Sequence, residues 1–176
     1  MSRYFLDGAY YFITVPTIGH RRFFDTSEKK QCVLAKFHEA AQKYHLRDFD
    51  FSIVSDHYHV VSFFEKGLFI PKFLQYVNGG SAYVFNKLTG NSIQVWDEYH
   101  VYVVEDDAVL ARVCGYVVGN PLKHGEVKNF EELAHYPFSS YQLLAERLGD
   151  ETALEYVRSV VLLDDARLAS DLTKVY

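Results

Sequence analysis

Apolar residues in this chain cluster in short runs, and three of these runs predict β-structure. Residues 9–15 (AYYFITV) are aromatic and β-branched, as is typical of a buried strand. Residues 47–65 predict two strands joined tightly near Ser55 and Asp56, or one long bent run; the element order takes two strands. Residues 95–105 alternate with the period of two that a strand requires. The pattern therefore predicts four strands.

A helical period separates the first two of these stretches. Over residues 26–46, apolar side chains recur at the spacing of one helix face. Thr26 or Ser27 can cap the N-terminus of this helix, because a side-chain oxygen there accepts a hydrogen bond from a free backbone N–H. We expect Lys29 and Lys30 to be exposed to solvent.

Two further helices follow in the pattern. Residues 69–90 predict the second helix, which we expect to be loosened or interrupted at Gly79 and Gly80. Residues 106–120 predict the third, which should end before Pro121 because the residue preceding a proline disfavours helical backbone.

The order of elements, β-α-β-β-α-β and then a helix, predicts an α+β fold of the ferredoxin-like (split βαβ) type. We expect an antiparallel sheet with helices on one face, followed by a helix that bears Tyr116 and by a helical C-terminal tail. The predicted division is a domain at residues 1–128 and an acidic helical extension at residues 129–176, packed on the same domain.

The net charge of −5 arises entirely from the C-terminal extension. Residues 1–128 contain 14 Lys and Arg against 14 Asp and Glu, whereas residues 129–176 contain 4 against 9. A neutral domain with local basic clusters can bind nucleic acid. The charge therefore permits DNA or RNA binding without requiring it.

Neither a membrane span nor a secretion signal is visible in the sequence. No apolar run approaches the ~20 residues that a transmembrane helix needs, and the N-terminus lacks the apolar core of a signal peptide. We therefore expect a cytoplasmic protein without membrane contacts. Cys32 and Cys114 lie in helical patterns and are expected to be reduced and packed.

The stretch SDHYHVV (residues 55–61) contains two histidines one residue apart. In a strand, His57 and His59 share one face and Tyr58 takes the other. Two imidazoles about 7 Å apart along one face can chelate a cation. They can also be unrelated polar residues on a solvated sheet face, and the pair alone does not decide between these interpretations.

A third ligand could come from the helix that follows the last strand. Among the fourteen tyrosines, Tyr44, Tyr102 and Tyr116 have a side chain that could bind a metal four positions later. Tyr102 lies in a predicted strand and Tyr44 precedes a helix end, so Tyr116 with Asn120 is the pair that shares a helix face. A core aromatic and a helix-terminal asparagine are the simpler interpretations of these two residues.

These residues resemble a known family. VSDHYHVV resembles the HUH motif of the single-tyrosine transposases of insertion sequences, and especially of their REP-associated relatives. CGYVVGNPLKHGEV resembles their Y-I-x-x-N-P-V-R-A-G-L-V signature, with the nucleophile at Tyr116. The resemblance extends over roughly residues 9–145 in the family's order. Departures include Tyr58, which is aliphatic in the usual motif, and Lys123-His124, which replaces Arg-Ala.

The resemblance implies a reaction and a set of residues. The implied enzyme cleaves and rejoins single-stranded DNA through a 5′-phosphotyrosine intermediate on Tyr116. A divalent ion, Mg²⁺ or Mn²⁺, would be held by His57, His59 and Asn120. Because Tyr116 and Asn120 are both present, a non-cleaving, domesticated DNA-binding relative is the weaker alternative. An unrelated small-molecule metalloenzyme is weaker still, because no carboxylate ligand was identified near the histidines.

The resemblance also implies the partners. We expect recognition of single-stranded or hairpin DNA and assembly as a homodimer. The residues proposed to contact DNA are basic: His20, Arg21, Arg22, Lys72, Lys87, Lys123 and Lys128.

Overall fold

A computed structural model describes residues 5–163 and 165–175 of the chain. Its centre is an antiparallel sheet with the strand order β2-β3-β1-β4-β5, which confirms the predicted α+β, ferredoxin-like class. The strands are β1 (Ala9–Pro16), β2 (Arg47–Ile53), β3 (His57–Phe64), β4 (His100–Val104) and β5 (Thr173–Lys174).

Seven α-helices surround the sheet in the described part of the chain. They are α1 (Ser27–Lys43), α2 (Phe69–Thr89), α3 (Asp107–Lys123), α4 (Phe130–Ala134), α5 (Tyr141–Leu148), α6 (Asp150–Val160) and α7 (Asp165–Ala169). The side chain of Thr26 accepts a hydrogen bond from the N–H of Lys29, so the predicted cap of α1 is confirmed.

The helices cover both faces of the sheet. The predicted pair, α1 and α2, packs together on one face over an aromatic core. The opposite face carries α3, against which the later helices pack in a second core. Helix α3, which bears Tyr116, therefore belongs to a second helical layer on the opposite face of the sheet.

Two helix predictions were wrong in detail. The second helix, α2, continues without a break through Gly79 and Gly80. The third helix, α3, does not stop before Pro121 but runs to Lys123. A proline near a helix end removes one hydrogen bond, and the N–H of His124 still reaches the carbonyl of Asn120, which keeps the last turn closed.

The exposure predicted for Lys30 was also wrong. Its side chain is buried, and its ammonium lies 2.6 Å from a carboxylate oxygen of Glu126. Lys29, its neighbour in sequence, is partly exposed and pairs with Asp25 one turn earlier at 2.7 Å. A cation can be buried when a charged partner meets it, and the partner here is 96 residues away.

The fourth predicted strand is shorter than expected. Only His100–Val104 pairs as β4, while Trp96 forms an isolated bridge to Thr17. The indole N–H of Trp96 donates to the hydroxyl of Ser81 in α2. The segment before β4 therefore packs on the helical layer instead of extending the strand.

Helix α6 of the C-terminal extension lies directly on α3. A β-carbon at Gly115 would come within 2.2 Å of the carbonyl oxygen of Tyr156, and one at Gly119 within 2.6 Å of Val157. These two glycines therefore allow the close approach of α3 and α6.

Segments of the extension pair with β2 and with β4. Ser140 donates its N–H to Phe51 of β2, and Phe138 accepts from Ile53. On the other side, the two-residue strand β5 pairs with β4 and becomes the outer strand. A very short outer strand offers little backbone for pairing between molecules. No helix in the described part of the chain is long and apolar enough to cross a membrane.

Candidate active site

Strand β3 presents its two histidines to the layer of α3. His57 and His59 are 7% and 1% exposed, and their ring centroids lie 4.7 Å apart. Tyr58 points to the other face, where it packs among aromatic rings. The alternation expected for a strand is therefore present, but the histidines lie in the interior and not on a solvated face.

The His57 ring is held between two partners. Its Nδ1 lies 2.7 Å from a carboxylate oxygen of Asp56, and its Nε2 lies 3.0 Å from Oδ1 of Asn120. Because a carboxylate only accepts hydrogen bonds, Nδ1 donates to Asp56 in the neutral ring. The unprotonated Nε2 and the amide oxygen of Asn120 then face each other as two acceptors, an arrangement that a cation between them would satisfy. The hydrogen bond from His57 lowers the pKa of Asp56 in spite of partial burial.

His59 is fixed on one side only. Its Nδ1 lies 3.0 Å from the hydroxyl of Thr14, whereas its buried Nε2 meets no hydrogen-bond partner among the described residues. Burial, together with the nearby charges of His57, His124 and Lys123, holds the pKa of His59 well below its usual value. A neutral imidazole with a buried, unused lone pair is the form that binds a metal ion.

Asn120 enters this cluster from α3 and is 1% exposed. Its Nδ2 also lacks a partner within the described chain, and its Oδ1 faces Nε2 of His57 at 3.0 Å. Neighbouring ligands around a six-coordinate ion at about 2.1 Å are separated by about 3.0 Å. The pair formed by His57 Nε2 and Asn120 Oδ1 has this spacing, so the donor atoms present fit a divalent ion.

A carboxylate does not complete this set. Within residues 5–163 and 165–175, no group of three or more His, Cys, Asp or Glu side chains is arranged to hold a metal. The carboxylate of Asp56 contacts Nδ1 of His57 and not the Nε2 that faces Asn120, so it orients the imidazole instead of acting as a ligand.

Tyr116 lies one helical turn before Asn120 on α3. Its ring contacts that of His59 with a centroid distance of 5.5 Å and that of Phe12 at 6.3 Å. The side chain is only 2% exposed, and its hydroxyl accepts a hydrogen bond of 2.9 Å from the ammonium of Lys123. The helix thus brings Tyr116 into the same buried cluster as both histidines.

The basic residues predicted to grip DNA do not form one surface. His20 lies close enough to Asp56 for its charge to lower the pKa of that carboxyl, which places the segment 20–22 at the edge of the cluster. Lys72 is far away, since its carbonyl accepts from Tyr44 on the α1–α2 face. The remaining three occupy different elements: Lys87 near the end of α2, Lys123 at the end of α3, and Lys128 before α4.

Sequence reasoning missed two residues that the fold adds to the cluster. His124 places its ring 4.7 Å from that of His57. Its side chain remains exposed at the edge of the cluster, and partial desolvation together with the neighbouring imidazole lowers its pKa to about 4. Glu126 accepts from the backbone N–H of Ser55, just before the histidine strand, and also binds Lys30. The hydrogen bond and charge of Lys30 lower the pKa of Glu126 although burial opposes this. Only the adjacency of these residues to the two motifs could have identified them.

Comparison with known proteins identifies the family of this chain. Residues 6–120 match the family described as "Transposase IS200 like". This chain belongs to that family. It is therefore a transposase-family enzyme that acts on DNA. The comparison with curated proteins gave no significant match.

Two solved structures resemble the fold. A REP-associated tyrosine transposase bound to a REP hairpin superposes with a TM-score of 0.66 at 18% identity, covering 84% of this chain and 85% of that chain. A protein of Deinococcus radiodurans assigned as a transposase gives a TM-score of 0.46 at 16% identity, covering 66% of this chain and 93% of the other. The first likeness supports the fold of the IS200-like enzyme described here.

Proposed function

We propose that this transposase cleaves single-stranded DNA beside a hairpin and transfers the strand through a 5′-phosphotyrosine intermediate on Tyr116. One observation carries the proposal. Tyr116 on α3 contacts the ring of His59, and Asn120, one turn later, contacts His57, so a nucleophile and three potential ligands share one buried cluster.

The proposed reaction exchanges one phosphodiester for another. The phenol oxygen of Tyr116 forms a bond to the scissile phosphorus, and the bond from phosphorus to the 3′ oxygen breaks. The 3′ oxygen takes up a proton and the phenol loses one. Because the phosphotyrosine bond keeps the energy of the broken bond, a 3′-hydroxyl can attack it later and no nucleotide cofactor is needed.

His57, His59 and Asn120 are the residues that we propose to hold a divalent ion. Such an ion, Mg²⁺ or Mn²⁺, would supply Lewis acidity to the oxygens of the scissile phosphate. The support in this chain is the unpartnered Nε2 of His59 and the close pair formed by His57 Nε2 and Asn120 Oδ1. Asp56 would keep the lone pair of His57 at Nε2.

The proposed DNA path runs past the exposed segment 20–22. His20, Arg21 and Arg22 follow β1 at the end of the sheet where β3 begins, which is the end that carries His57. Lys87 and Lys128 remain candidates for phosphate contacts, whereas the position of Lys72 on the other face favours it least. The hairpin in the similar REP-associated structure supports hairpin DNA as the ligand class.

The domain division and the homodimer also remain proposals. The extension at residues 129–176 packs on α3 and pairs with β2 and β4, which supports one structural unit with residues 1–128. Because β2 is paired with the extension and the outer strand β5 has only two residues, the proposed homodimer would use a helical surface instead of strand pairing.

A covalent-adduct assay tests the proposal. The protein is incubated with the single-stranded DNA that flanks its own gene, with Mg²⁺ or Mn²⁺, and is scored for a shift on a denaturing gel. We expect an adduct and a free 3′-hydroxyl with the wild type. Neither should form with Tyr116→Phe, while Tyr141→Phe, a substitution of a tyrosine outside the cluster, should react normally.

The alternative functions predict different results in this assay. Tight DNA binding without an adduct would indicate a non-cleaving relative. Metal binding without DNA binding would indicate the small-molecule metalloenzyme. An adduct that persists in Tyr116→Phe would assign the reaction to another tyrosine and overturn the proposed site.

A further inference from the structure

Lys123 was predicted from the sequence to contact DNA, but in the structure its ammonium contacts the hydroxyl of Tyr116. The two residues lie seven positions apart on α3, which is two helical turns, so both project from one side of the helix. The ammonium of Lys123 lies 2.9 Å from the hydroxyl oxygen of Tyr116 and 4.7 Å from the centre of its ring.

The direction of this hydrogen bond determines its chemical effect. A lysine ammonium carries three N–H donors and no acceptor, so the phenol oxygen must be the acceptor. Lys123 is half-buried, and the phenol that it meets is almost fully buried. A cation held against an oxygen in such surroundings interacts more strongly with negative charge on that oxygen than it would in water.

We propose that Lys123 is a catalytic residue of the strand-transfer reaction, in which its ammonium holds the nucleophilic oxygen of Tyr116 and stabilises the negative charge that develops there. This inference rests on the proposed function, because it requires Tyr116 to be the nucleophile. The opposing assignment, to DNA binding alone, places the ammonium on a backbone phosphate.

The proposed step balances without any further reactant. The phenol O–H proton passes to water as the bond from oxygen to phosphorus forms, and the 3′ oxygen takes a proton from water as its bond to phosphorus breaks. Lys123 remains an ammonium throughout. In the reverse step it stabilises the same oxygen as the leaving group, so one residue serves both cleavage and joining.

The charge of Lys123 is also felt by the other members of the cluster. It contributes to the lowered pKa of His59 and to that of His124, after the larger effects of burial and of the neighbouring imidazoles. The ammonium therefore lies within the electrostatic reach of the proposed metal ligands and not on a remote surface.

Three variants separate the catalytic assignment from a DNA contact. Lys123→Met removes the charge at nearly constant length, Lys123→Arg keeps the charge, and Lys66→Met removes a charge from an exposed lysine outside the proposed DNA path. For each, the rate of adduct formation is measured in a single turnover at saturating hairpin DNA with Mn²⁺. The dissociation constant for the same DNA is measured by fluorescence anisotropy with Ca²⁺.

We expect Lys123→Met to slow the single-turnover rate about 100-fold, the loss typical of removing one donor to a developing oxyanion. The DNA dissociation constant should change less than about two-fold, since the ammonium is directed at Tyr116 and not at a phosphate. Lys123→Arg should recover most of the rate, and Lys66→Met should react as the wild type does.

Other results would overturn the assignment. A rate for Lys123→Met that returns to normal at saturating DNA would make Lys123 a DNA-binding residue only. A substrate with a 3′ bridging sulfur, which leaves without a proton, would restore the rate if Lys123 served the 3′ oxygen instead. Normal reaction of Lys123→Met through Tyr116 would reject this inference alone, whereas an adduct in Tyr116→Phe would reject the proposed function with it.

Discussion

The two faces of the central sheet are built from the same strands and have opposite chemistry. On the face of α1 and α2, the ring of Tyr58 contacts those of Phe37 and Trp96, each with a centroid distance of 5.0 Å. On the face of α3, the residues on either side of Tyr58 are His57 and His59. Because successive side chains of a strand point to opposite faces, β3 contributes aromatic residues to one layer and histidines to the other.

The difference lies in how each face satisfies its buried atoms. The aromatic face contains few polar atoms, and the hydroxyl of Tyr58 donates to Asn78 at 2.6 Å. The α3 face holds three buried polar atoms without a partner among the described residues: Ser52 Oγ, His59 Nε2 and Asn120 Nδ2. Unsatisfied buried groups cost free energy, so their concentration on one face is typical of a site and not of a core.

The largest expected effect on stability comes from the aromatic face. Tyr58→Ala should lower the free energy of unfolding by about 4 kcal/mol, because it removes a fully buried ring and leaves a cavity. Urea denaturation measures the change. Tyr83→Ala, at a tyrosine that is 65% exposed, is the control and should change stability by less than about 0.5 kcal/mol. Similar losses in the two variants would contradict the distinction between the faces.

The next effect concerns the ion pair that connects α1 to the turn before β3. Lys30→Met should cost about 3 kcal/mol, because it leaves the carboxylate of Glu126 buried without its partner. Lys29→Met removes the same charge from an exposed pair and should cost under about 0.5 kcal/mol.

A second substitution tests the cause of this loss. Adding Glu126→Met to Lys30→Met should recover part of the stability, since no unpaired charge remains buried. If the double variant is less stable than Lys30→Met, the hydrogen bond from Glu126 to Ser55 matters more than the charge pair.

Metal binding should stabilise the α3 face. At 100 times its dissociation constant, Mn²⁺ should raise the free energy of unfolding by about 2.7 kcal/mol. Thermal melting with and without the ion measures this. Asn120→Ala should abolish the stabilisation, whereas His135→Ala, at an exposed histidine, should retain it. An undiminished effect in Asn120→Ala would remove that residue from the proposed ligand set.

The smallest effect is a pH dependence of the metal-free protein. The pKa of His124 is about 4 in the folded state, mainly through partial desolvation, against about 6.5 when unfolded. Because this side chain is exposed, solvent screens most of the resulting contribution to stability. Between these values the unfolded chain binds more protons, so stability falls as the pH is lowered from 6.5 towards 4. His124→Gln should flatten this dependence in urea titrations with a chelator. His135→Gln should leave it unchanged, and an unaltered slope in His124→Gln would contradict the assignment.

Local patterns in the sequence were sufficient for the class of fold and for the order of its elements. The period of two in β3 predicted that His57 and His59 share a face, and helical spacing paired Tyr116 with Asn120. Both inferences concern neighbours along one element, where backbone geometry alone determines which side chains lie together.

Only the tertiary structure decided which distant residues meet. The sequence predicted that Lys30 is exposed to solvent and that Lys123 contacts DNA. Both predictions followed from the charge alone, because the partner of a charged side chain is set only when the chain folds. Glu126 reaches Lys30 across 96 positions, and Lys123 turns inward to Tyr116. A β-carbon at Gly115 would collide with the carbonyl of Tyr156 on α6, so the need for glycine at this position arises only when the two helices pack. Contacts between elements depend on how their surfaces fit in space, which no short-range pattern encodes.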